Sequence, residues 1–312
     1  MAILVTGVAG FIGSWTAREL LKKGYSVVGI DNFNDYYNPE FKKNNIKGLK
    51  IKLYKGDIRD KDAVSLIFRK NKIDKIVHLA AMVGVRPSIS NPFIYEDVNV
   101  RGTLNLLETA KNNHIGKFIF ASSSSVYGNI GKAPFSEKDA ANSPISPYAA
   151  TKKAGELLCR AYSSLYEMPA ICLRFFTVYG PAGRPDMAPY KFVDRIAHGR
   201  EIEIYGDGST KRDYTYVGDV VHGIAKSIEL ETSYEILNLG CGTPIELKDF
   251  VNLIEKNLGK KAKVLRKKIQ PGDVSRTYAD ISKARRLLGY SPKVSVQKGM
   301  GIFCEWYRKN RM

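Results

Sequence analysis

A tyrosine and a lysine four positions apart, Tyr148 and Lys152, are the residues of this chain best suited to do chemistry together. On a helix, positions i and i+4 lie on the same face, so the two side chains can act as one unit. The ammonium group favours the phenolate, and we expect it to lower the pKa of the tyrosine from its ordinary value of about 10. A phenolate beside an alcohol can take the proton that leaves when the alcohol is oxidised.

A glycine-rich segment near the first residue indicates where the hydride of that alcohol would go. Gly7, Gly10 and Gly13 have the spacing GxxGxxG after a short apolar run. Glycines permit a tight turn and a close approach to a pyrophosphate, which the next helix binds with its first N–H groups. Asp31, at the end of the second predicted strand, is placed to bond an adenosine ribose and to repel a 2′-phosphate. The pattern predicts NAD rather than NADP.

The remaining elements must hold these two sites together. Short apolar segments alternate with helical patterns in the first half, which predicts a Rossmann-type, doubly wound parallel sheet in an α/β protein. The predicted strands are 2–6, 25–30, 51–54, 75–79, 117–121 and 170–174. The predicted helices are 11–23, 61–70, 93–112, 147–167, 188–198, 217–230, 246–258, 281–288 and 295–308.

Glycine and proline become frequent after about residue 175. We therefore expect an NAD-binding domain over 1–174 and a smaller α/β substrate-binding region over 175–312, with 213–234 packing back on the first domain. Ser146 and Pro147 have the residue types of an N-cap and a first helical residue, which would place Tyr148 in the first turn of its helix.

Composition limits the classes of protein that this chain can represent. The 312 residues are 44% hydrophobic and 26% charged, as in a globular protein. No apolar run reaches the roughly 18 residues of a membrane span, and no secretory leader is evident, so we expect a cytoplasmic protein with no membrane partner. The four cysteines are scattered and predict reduced thiols with no metal site. The net charge of +18 is spread without a nucleic-acid-binding motif, so we predict no nucleic-acid partner.

Four serines, residues 122–125, follow the predicted strand 117–121, at the sheet edge where α/β proteins bind ligands. Together with the glycines and the tyrosine–lysine pair, they make the chain resemble the extended short-chain dehydrogenase/reductase family. Within it, the chain is most similar to the NAD-dependent nucleotide-sugar 4-epimerases, above all those that act on UDP-glucuronate. The resemblance also includes Asp57-Ile58, His78-Leu79-Ala80-Ala81 and the segment 174–181.

The resemblance implies roles for individual residues. Ser123, Tyr148 and Lys152 would be catalytic, whereas His78 falls in a strand motif and is expected to be structural. The residues implied in NAD binding are Gly7, Gly10, Phe11, Ile12, Gly13, Asp31, Asn32, Asp57, Ile58, Leu79, Ala80, Ala81, Asn99, Tyr148 and Lys152. Those implied in substrate binding are Arg86, Ser124, Ser125, Thr177, Arg184, Arg212 and Arg276.

The implied reaction begins when the phenolate of Tyr148 takes the proton of the sugar 4-hydroxyl while C4 gives its hydride to NAD. The 4-keto sugar turns over and takes the hydride back on its other face, so NAD stays bound. Related dehydratases carry an acidic pair, and decarboxylases a glutamate, where this chain has Ser124 and Ser125. The serines therefore favour epimerisation.

The substrate is less closely specified. By resemblance, Thr177 and Arg184 would meet the carboxylate of UDP-glucuronate or UDP-galacturonate; UDP-N-acetylglucosamine and UDP-glucose are alternatives, because their epimerases share most of the scaffold. Many relatives have a phosphate-binding arginine where this chain has Gln270, and Arg276 is a candidate replacement.

The resemblance also implies a homodimer through helices 93–112 and 147–167. A distant alternative is an NAD-binding protein without catalysis.

Overall fold

The computed structural model describes residues 1–268 and 276–312, and its main element is a seven-stranded sheet in which every neighbouring pair of strands is parallel. Numbered along the chain and given in spatial order, the strands are β11 (Tyr234–Leu239), β6 (Ala170–Phe175), β5 (Lys117–Ser123), β4 (Lys75–His78), β1 (Ala2–Thr6), β2 (Ser26–Asp31) and β3 (Lys52–Lys55). The order reverses between β1 and β4, which is the point where α/β sheets bind ligands.

Helices cover both faces of this sheet. They are α1 (Phe11–Lys22), α2 (Pro39–Ile46), α3 (Lys61–Lys70), α4 (Val85–Ser90), α5 (Pro92–Glu96), α6 (Gly102–Asn112), α7 (Pro147–Tyr166), α8 (Ala188–Ala197), α9 (Val217–Glu229), α10 (Leu247–Leu258), α11 (Ser282–Leu288) and α12 (Val296–Arg311). A π-helical turn, Asp97–Arg101, joins α5 to α6, and a short 3₁₀ helix, Ser124–Tyr127, follows β5.

Alternation along the central strands produces two separate apolar cores. Ile119 and Ala121 of β5 pack in one core with α1 and α9, whereas Phe118 and Phe120 pack in the other with α3, α6 and α7. Successive strand residues point to opposite faces, so a strand that is buried on both sides is apolar throughout. These two cores confirm the predicted doubly wound fold.

Three small sheets lie beyond the main one. They pair β7 (Thr177–Tyr179) with β10 (Tyr214–Tyr216), β8 (Glu201–Tyr205) with β13 (Lys263–Lys267), and β9 (Lys211–Arg212) with both β12 (Ile245–Glu246) and β14 (Arg276–Thr277). Among the described residues, no helix is both long and apolar enough to cross a membrane.

The structure has elements that the sequence analysis did not predict. Tyr234–Leu239 extends the main sheet although it follows the loop-rich region; its alternating Leu237 and Leu239 were the available signal. Helix α2 lacks an apolar stripe and begins instead at Pro39, with Asn38 accepting a hydrogen bond from the Glu40 amide. The helix predicted over 93–112 is interrupted by the π-helical turn. The domain boundary at residue 174 stays a prediction.

Candidate active site

The carboxyl ends of the parallel strands surround one cavity of about 350 Å³. Six strands of the main sheet each contribute a lining residue at or just after their ends: Gly7, Asp31, Asp57, Leu79, Ser123 and Phe175. Residues far apart in sequence therefore meet at one edge because the strands all run in the same direction.

The glycine segment forms the floor of the cavity between β1 and α1. Gly7 has φ of +65°, and a Cβ atom there would lie 2.8 Å from the backbone nitrogen of Ala80. A Cβ atom on Gly13 would lie 2.1 Å from the carbonyl oxygen of Gly7. Any other residue at these positions would push the backbone apart, so only glycine permits this close turn.

Helix α1 directs its N-terminus at the same floor. Its N-cap residue is Gly10, which has no side-chain oxygen to accept a bond from the first N–H groups, and Gly10, Phe11, Ile12 and Gly13 line the cavity. Uncapped N–H groups and the positive end of the helix dipole suit a phosphate.

Asp31 lies at the end of β2 with its carboxylate against the cavity. Oδ2 accepts a hydrogen bond from the Ala9 amide at 3.0 Å, and Oδ1 accepts one from the Phe33 amide at 2.8 Å. Burial raises the pKa of this carboxyl, although both amides and nearby Lys42 oppose the shift. A fixed carboxylate at this position is suited to a ribose hydroxyl and unfavourable to a 2′-phosphate.

The predicted adenine side of the cavity is held by a polar cluster. Asn32 donates from Nδ2 to Asp57 Oδ2 at 2.9 Å, and Arg59 forms a bidentate pair with the same carboxylate at 3.0 and 2.9 Å. These bonds lower the pKa of Asp57 despite its partial burial. Ile58 beside it is buried against Gly102, where a Cβ atom would lie 2.7 Å from the isoleucine side chain.

Tyr148 and Lys152 both line the cavity from the first turns of α7. Ser146 is the N-cap and accepts a hydrogen bond from the Ala149 amide at 3.2 Å, while Pro147 occupies the first helical position. The sequence prediction for the beginning of this helix is therefore confirmed. Because α7 packs on β5, its first turns face Ser123 at the end of that strand.

The pKa of Tyr148 differs from the sequence expectation. Burial raises it, and the Ser123 hydroxyl and the charge of Arg184 oppose this shift without cancelling it. The expected lowering by Lys152 is not found, because burial also disfavours the charged lysine and lowers its pKa to about 7. Lys152 Nζ donates to the carbonyl oxygen of Ala121 at 2.8 Å. Burial is therefore the largest influence on the pKa of both groups.

The serine run places three hydroxyl groups in the cavity. Ser123, Ser124 and Ser125 line it, and Ser123 Oγ donates to Ser125 Oγ at 3.1 Å while accepting from the Ser125 amide at 3.1 Å. Ser122 also lines the cavity, but its hydroxyl donates to Glu156 Oε1 at 2.6 Å. Of these four serines, only Ser123 lowers the pKa of Tyr148.

Thr177 and Arg184 line the opposite wall of the cavity. Arg184 pairs side-on with Asp186: Nε donates to Oδ1 at 3.0 Å, and Nη2 donates to Oδ2. Its guanidinium carbon lies 5.8 Å from the centre of the Tyr36 ring. The pairing with Asp186 raises the pKa of Arg184 against the effect of burial.

Other predicted residues lie outside the described cavity lining. Asn99 is buried behind it, where Oδ1 accepts from the Met82 amide at 2.8 Å and Nδ2 donates to Thr151 Oγ1 at 3.0 Å. Arg86 lies over the Tyr205 ring at 4.7 Å. Arg212 and Arg276 occupy the paired strands β9 and β14. Gln270 falls outside the described residues, and the roles of all these residues stay predictions.

His78 serves the structure, as the sequence analysis expects. Its ring nitrogens lie 2.7 Å from Thr6 Oγ1 and 2.9 Å from Thr103 Oγ1. Burial lowers its pKa to about 3, so the ring is neutral. No group of three or more potential metal ligands was found in the part of the chain that the structure describes.

A polar segment that follows β2 and runs into α2 also borders the cavity, and the sequence did not predict its place there. Asn34, Tyr36, Tyr37 and Lys42 line it, and Lys42 Nζ donates to Asn34 Oδ1 at 2.7 Å. The only available signal was their position after a strand end. Their approach to Arg184 depends on tertiary packing.

Comparison with known proteins fits this geometry. Residues 4–302 match the protein family described as GDP-mannose 4,6 dehydratase. The chain belongs to this family. The match confirms the resemblance to the extended short-chain dehydrogenases/reductases.

Individual relatives are similar over nearly their whole length. The UDP-glucuronate 4-epimerase of Thermodesulfobacterium geofontis is 43% identical over 98% of this chain and 96% of its own. The crystal structure of the UDP-glucuronic acid 4-epimerase of Bacillus cereus, in complex with UDP-glucuronic acid and NAD, is 38% identical with a TM-score of 0.93, covering 99% of each chain. The UDP-glucose 4-epimerase of Thermotoga maritima, solved with UDP-glucose, is 32% identical with a TM-score of 0.94, covering 100% of each chain.

Proposed function

We propose that this protein is an NAD-dependent UDP-sugar 4-epimerase whose substrate is UDP-glucuronate, interconverted with UDP-galacturonate. The observation that carries the proposal is the convergence of Ser123, Tyr148 and Lys152 on a cavity that also holds the glycine floor and Asp31. An alcohol-oxidising unit and a dinucleotide site open into one space, as a reversible hydride transfer requires.

The described residues fit NAD along its whole length. The uncapped N-terminus of α1 and the Gly7 turn suit the pyrophosphate, and Asp31 suits the adenosine ribose. Lys152 lines the same cavity, and by resemblance to the family it would hold the nicotinamide ribose. When bound, NAD accepts the hydride of C4 and returns it to the opposite face.

The side chains of this protein handle the proton. Tyr148 takes it from the 4-hydroxyl as that group becomes a ketone and gives it back when the alcohol reforms. Ser123 donates to the sugar oxygen and stabilises the charge that develops there. Because burial raises the pKa of Tyr148, the phenolate needs nearby positive charge, and the charge of Arg184 acts in that direction.

The same cavity argues against elimination of water, although the family is described by a dehydratase. Elimination needs an acid and a base beyond the tyrosine. Ser124 and Ser125 line the cavity where related dehydratases carry an acidic pair. Hydroxyl groups can bind a sugar but are poor acids and bases near neutral pH.

Arg184 favours an acidic sugar. It is a guanidinium on the cavity wall near Tyr148, and its planar donors suit a carboxylate. The relatives named for UDP-glucuronate support this choice, whereas the UDP-glucose enzyme supports the alternative of a neutral sugar.

We also propose that the protein is a homodimer and that it acts in the cytoplasm. Phe93 of α5 and Leu165 of α7 are 83% and 71% exposed, and these two helices pack side by side. Exposed apolar side chains on adjacent helices are typical of a protein interface.

The test is a substrate panel without added cofactor. We expect the purified protein to convert UDP-glucuronate to its 4-epimer faster than UDP-glucose or UDP-N-acetylglucosamine, with NAD carried through purification. The variant Tyr148→Phe should fold and retain NAD but turn over about a hundredfold to ten-thousandfold more slowly. Nuclear magnetic resonance of the products measures both.

Three results would contradict the proposal: net release of NADH, loss of water or carbon dioxide, or no 4-epimer from any of the three sugars. Faster turnover of UDP-glucose would instead identify the neutral-sugar alternative. Full activity of the Tyr148→Phe variant would refute the assignment of the base.

A further inference from the structure

Arg184 poses a problem of orientation. It lies in the loop between β7 and α8, outside any helix or strand, on a side chain with many rotamers. Ordering a rotamer-rich side chain on binding reduces the affinity gained from its contacts. A carboxylate-binding arginine at this position therefore works well only if the protein itself fixes the guanidinium.

Asp186 provides that restraint. It takes the Nε/Nη2 edge of Arg184 in a bidentate pair, with Pro185 limiting the backbone between the two residues. The carboxylate of Asp186 is about one-quarter exposed, at 28%, and the arginine side chain is 18% exposed. Asp186 does not line the described cavity, whereas Arg184 does, so the aspartate approaches the guanidinium from outside the cavity.

The geometry of a guanidinium group leaves a second edge for a ligand. Its five N–H donors lie in one plane, and a carboxylate that pairs with Nε and Nη2 uses two of them. The Nη1 group and the second Nη2 hydrogen form another pair of parallel donors, which matches a carboxylate end-on. One arginine can therefore bridge an internal carboxylate and a bound one.

We propose that Asp186 is a positioning and specificity-determining residue that aims the Nη1/Nη2 edge of Arg184 at the carboxylate of an acidic UDP-sugar. This inference rests on the proposed function, because it needs a carboxylate on the sugar. The inference adds that recognition of the sugar carboxylate depends on Asp186, a residue that does not touch the sugar. A neutral sugar offers no partner to that edge and gains nothing from the orientation.

The sign of the change in affinity distinguishes an orienting role of Asp186 from competition between Asp186 and the substrate for Arg184. A carboxylate that merely competed with the substrate for Arg184 would weaken the binding of the acidic sugar, so removing it would increase affinity. A carboxylate that orients Arg184 would strengthen binding, so removing it would decrease affinity. The two roles predict opposite signs for the same substitution.

The experiment measures binding by calorimetry in the Tyr148→Phe background, in which turnover is slowed. UDP-glucuronate, UDP-glucose and UDP are titrated into the NAD-loaded parent and into its Asp186→Ala and Asp186→Asn versions. We expect Asp186→Ala to weaken the binding of UDP-glucuronate by about tenfold, which corresponds to the loss of one good charge-assisted contact. The affinities for UDP-glucose and UDP should stay within about twofold of the parent's. Asp186→Asn, which keeps one acceptor oxygen, should lie between the parent and Asp186→Ala.

Each other outcome has a defined meaning. Unchanged or tighter binding of UDP-glucuronate in both versions, with the parent still preferring it, overturns the role of Asp186 and leaves the proposed substrate intact. Equal weakening for all three ligands also overturns it, because that result indicates a general disturbance of the loop. A parent that binds UDP-glucose as tightly as UDP-glucuronate overturns both this inference and the proposed substrate.

Discussion

At the scale of single residues, the site is governed by the free energy of burying charges. Tyr148 and Lys152 both lie where burial favours their neutral forms, so the pKa of the tyrosine is raised and that of the lysine is lowered to about 7. Ser123 and Arg184 are the described groups that oppose the shift of the tyrosine. Catalysis therefore depends on small groups that stabilise a phenolate in a poorly solvated space.

This balance predicts a shift in the pH dependence of Ser123→Ala. In the proposed mechanism the phenolate is the base, so activity should rise with pH through the pKa of Tyr148. Since the Ser123 hydroxyl lowers that pKa, its removal should raise the pKa further and move the rising limb of kcat/KM to higher pH. Turnover at neutral pH should fall as well, and a pH–rate profile measures both effects.

Ser124→Ala is the matched control for that shift. It removes a hydroxyl from the same cavity, but Ser124 is not among the described groups that act on the pKa of Tyr148. The rising limb of the pH–rate profile of Ser124→Ala should coincide with that of the parent, whatever effect the substitution has on KM. A Ser123→Ala profile that falls in amplitude without moving along the pH axis would contradict the argument.

At the scale of elements, a buried ion pair fixes the catalytic helix to the sheet. Arg174 of β6 donates from Nε and Nη2 to the carboxylate oxygens of Glu156 on α7, both at 2.8 Å, and both side chains are almost fully buried. Ser122 of β5 donates to the same carboxylate. Because Glu156 lies one turn after Lys152, this cluster connects the helix bearing the base with the strand that ends at Ser123.

Loss of both partners should destabilise the fold by less than the two single losses added together. Glu156→Leu or Arg174→Met alone leaves a buried group without its partner and should cost about 3–5 kcal/mol of the free energy of unfolding. The double variant Glu156→Leu with Arg174→Met should cost less than the sum of the corresponding single variants. Denaturant unfolding of the four proteins in that cycle measures the coupling.

Lys153→Ala is a suitable comparison for the buried pair. Lys153 also contacts Glu156, at 3.2 Å, but from the partly exposed side of α7, where an ion pair contributes up to about 1 kcal/mol. Additive effects of the Glu156 and Arg174 substitutions would show that the pair does not act as a unit.

The elements that could be predicted from sequence are those whose pattern is local. Strands buried on both faces are apolar throughout, and helix α7 carries its own N-cap at Ser146, so both could be predicted. The glycine floor follows from spacing alone. Tyr36 could not be assigned to the site, because its approach to Arg184 depends on how distant loops pack. Asp186 is only two residues from Arg184, but its residue type alone is equally typical of a turn.

At the scale of the whole molecule, the distribution of apolar surface indicates more about assembly than the net charge does. The charge of +18 is spread over the chain, whereas large exposed apolar side chains recur on adjacent helices. Those on α5, α6 and α7 are Phe93, Leu104, Leu157, Leu165 and Tyr166. Helix α7 also carries Tyr148 and Lys152, so a dimer through this face would support the catalytic helix from outside.

The proposed dimer face gives a prediction about assembly. Replacing Leu157 or Leu165 with glutamate should place a charge in an apolar interface, which is unfavourable, and should shift the protein from dimer to monomer at micromolar concentration. Leu265→Glu is the matched control, because Leu265 is also exposed, at 39%, but lies on β13, away from these helices. Multi-angle light scattering reads the mass directly. A parent that is monomeric, or a dimer that only Leu265→Glu disrupts, would rule out this interface.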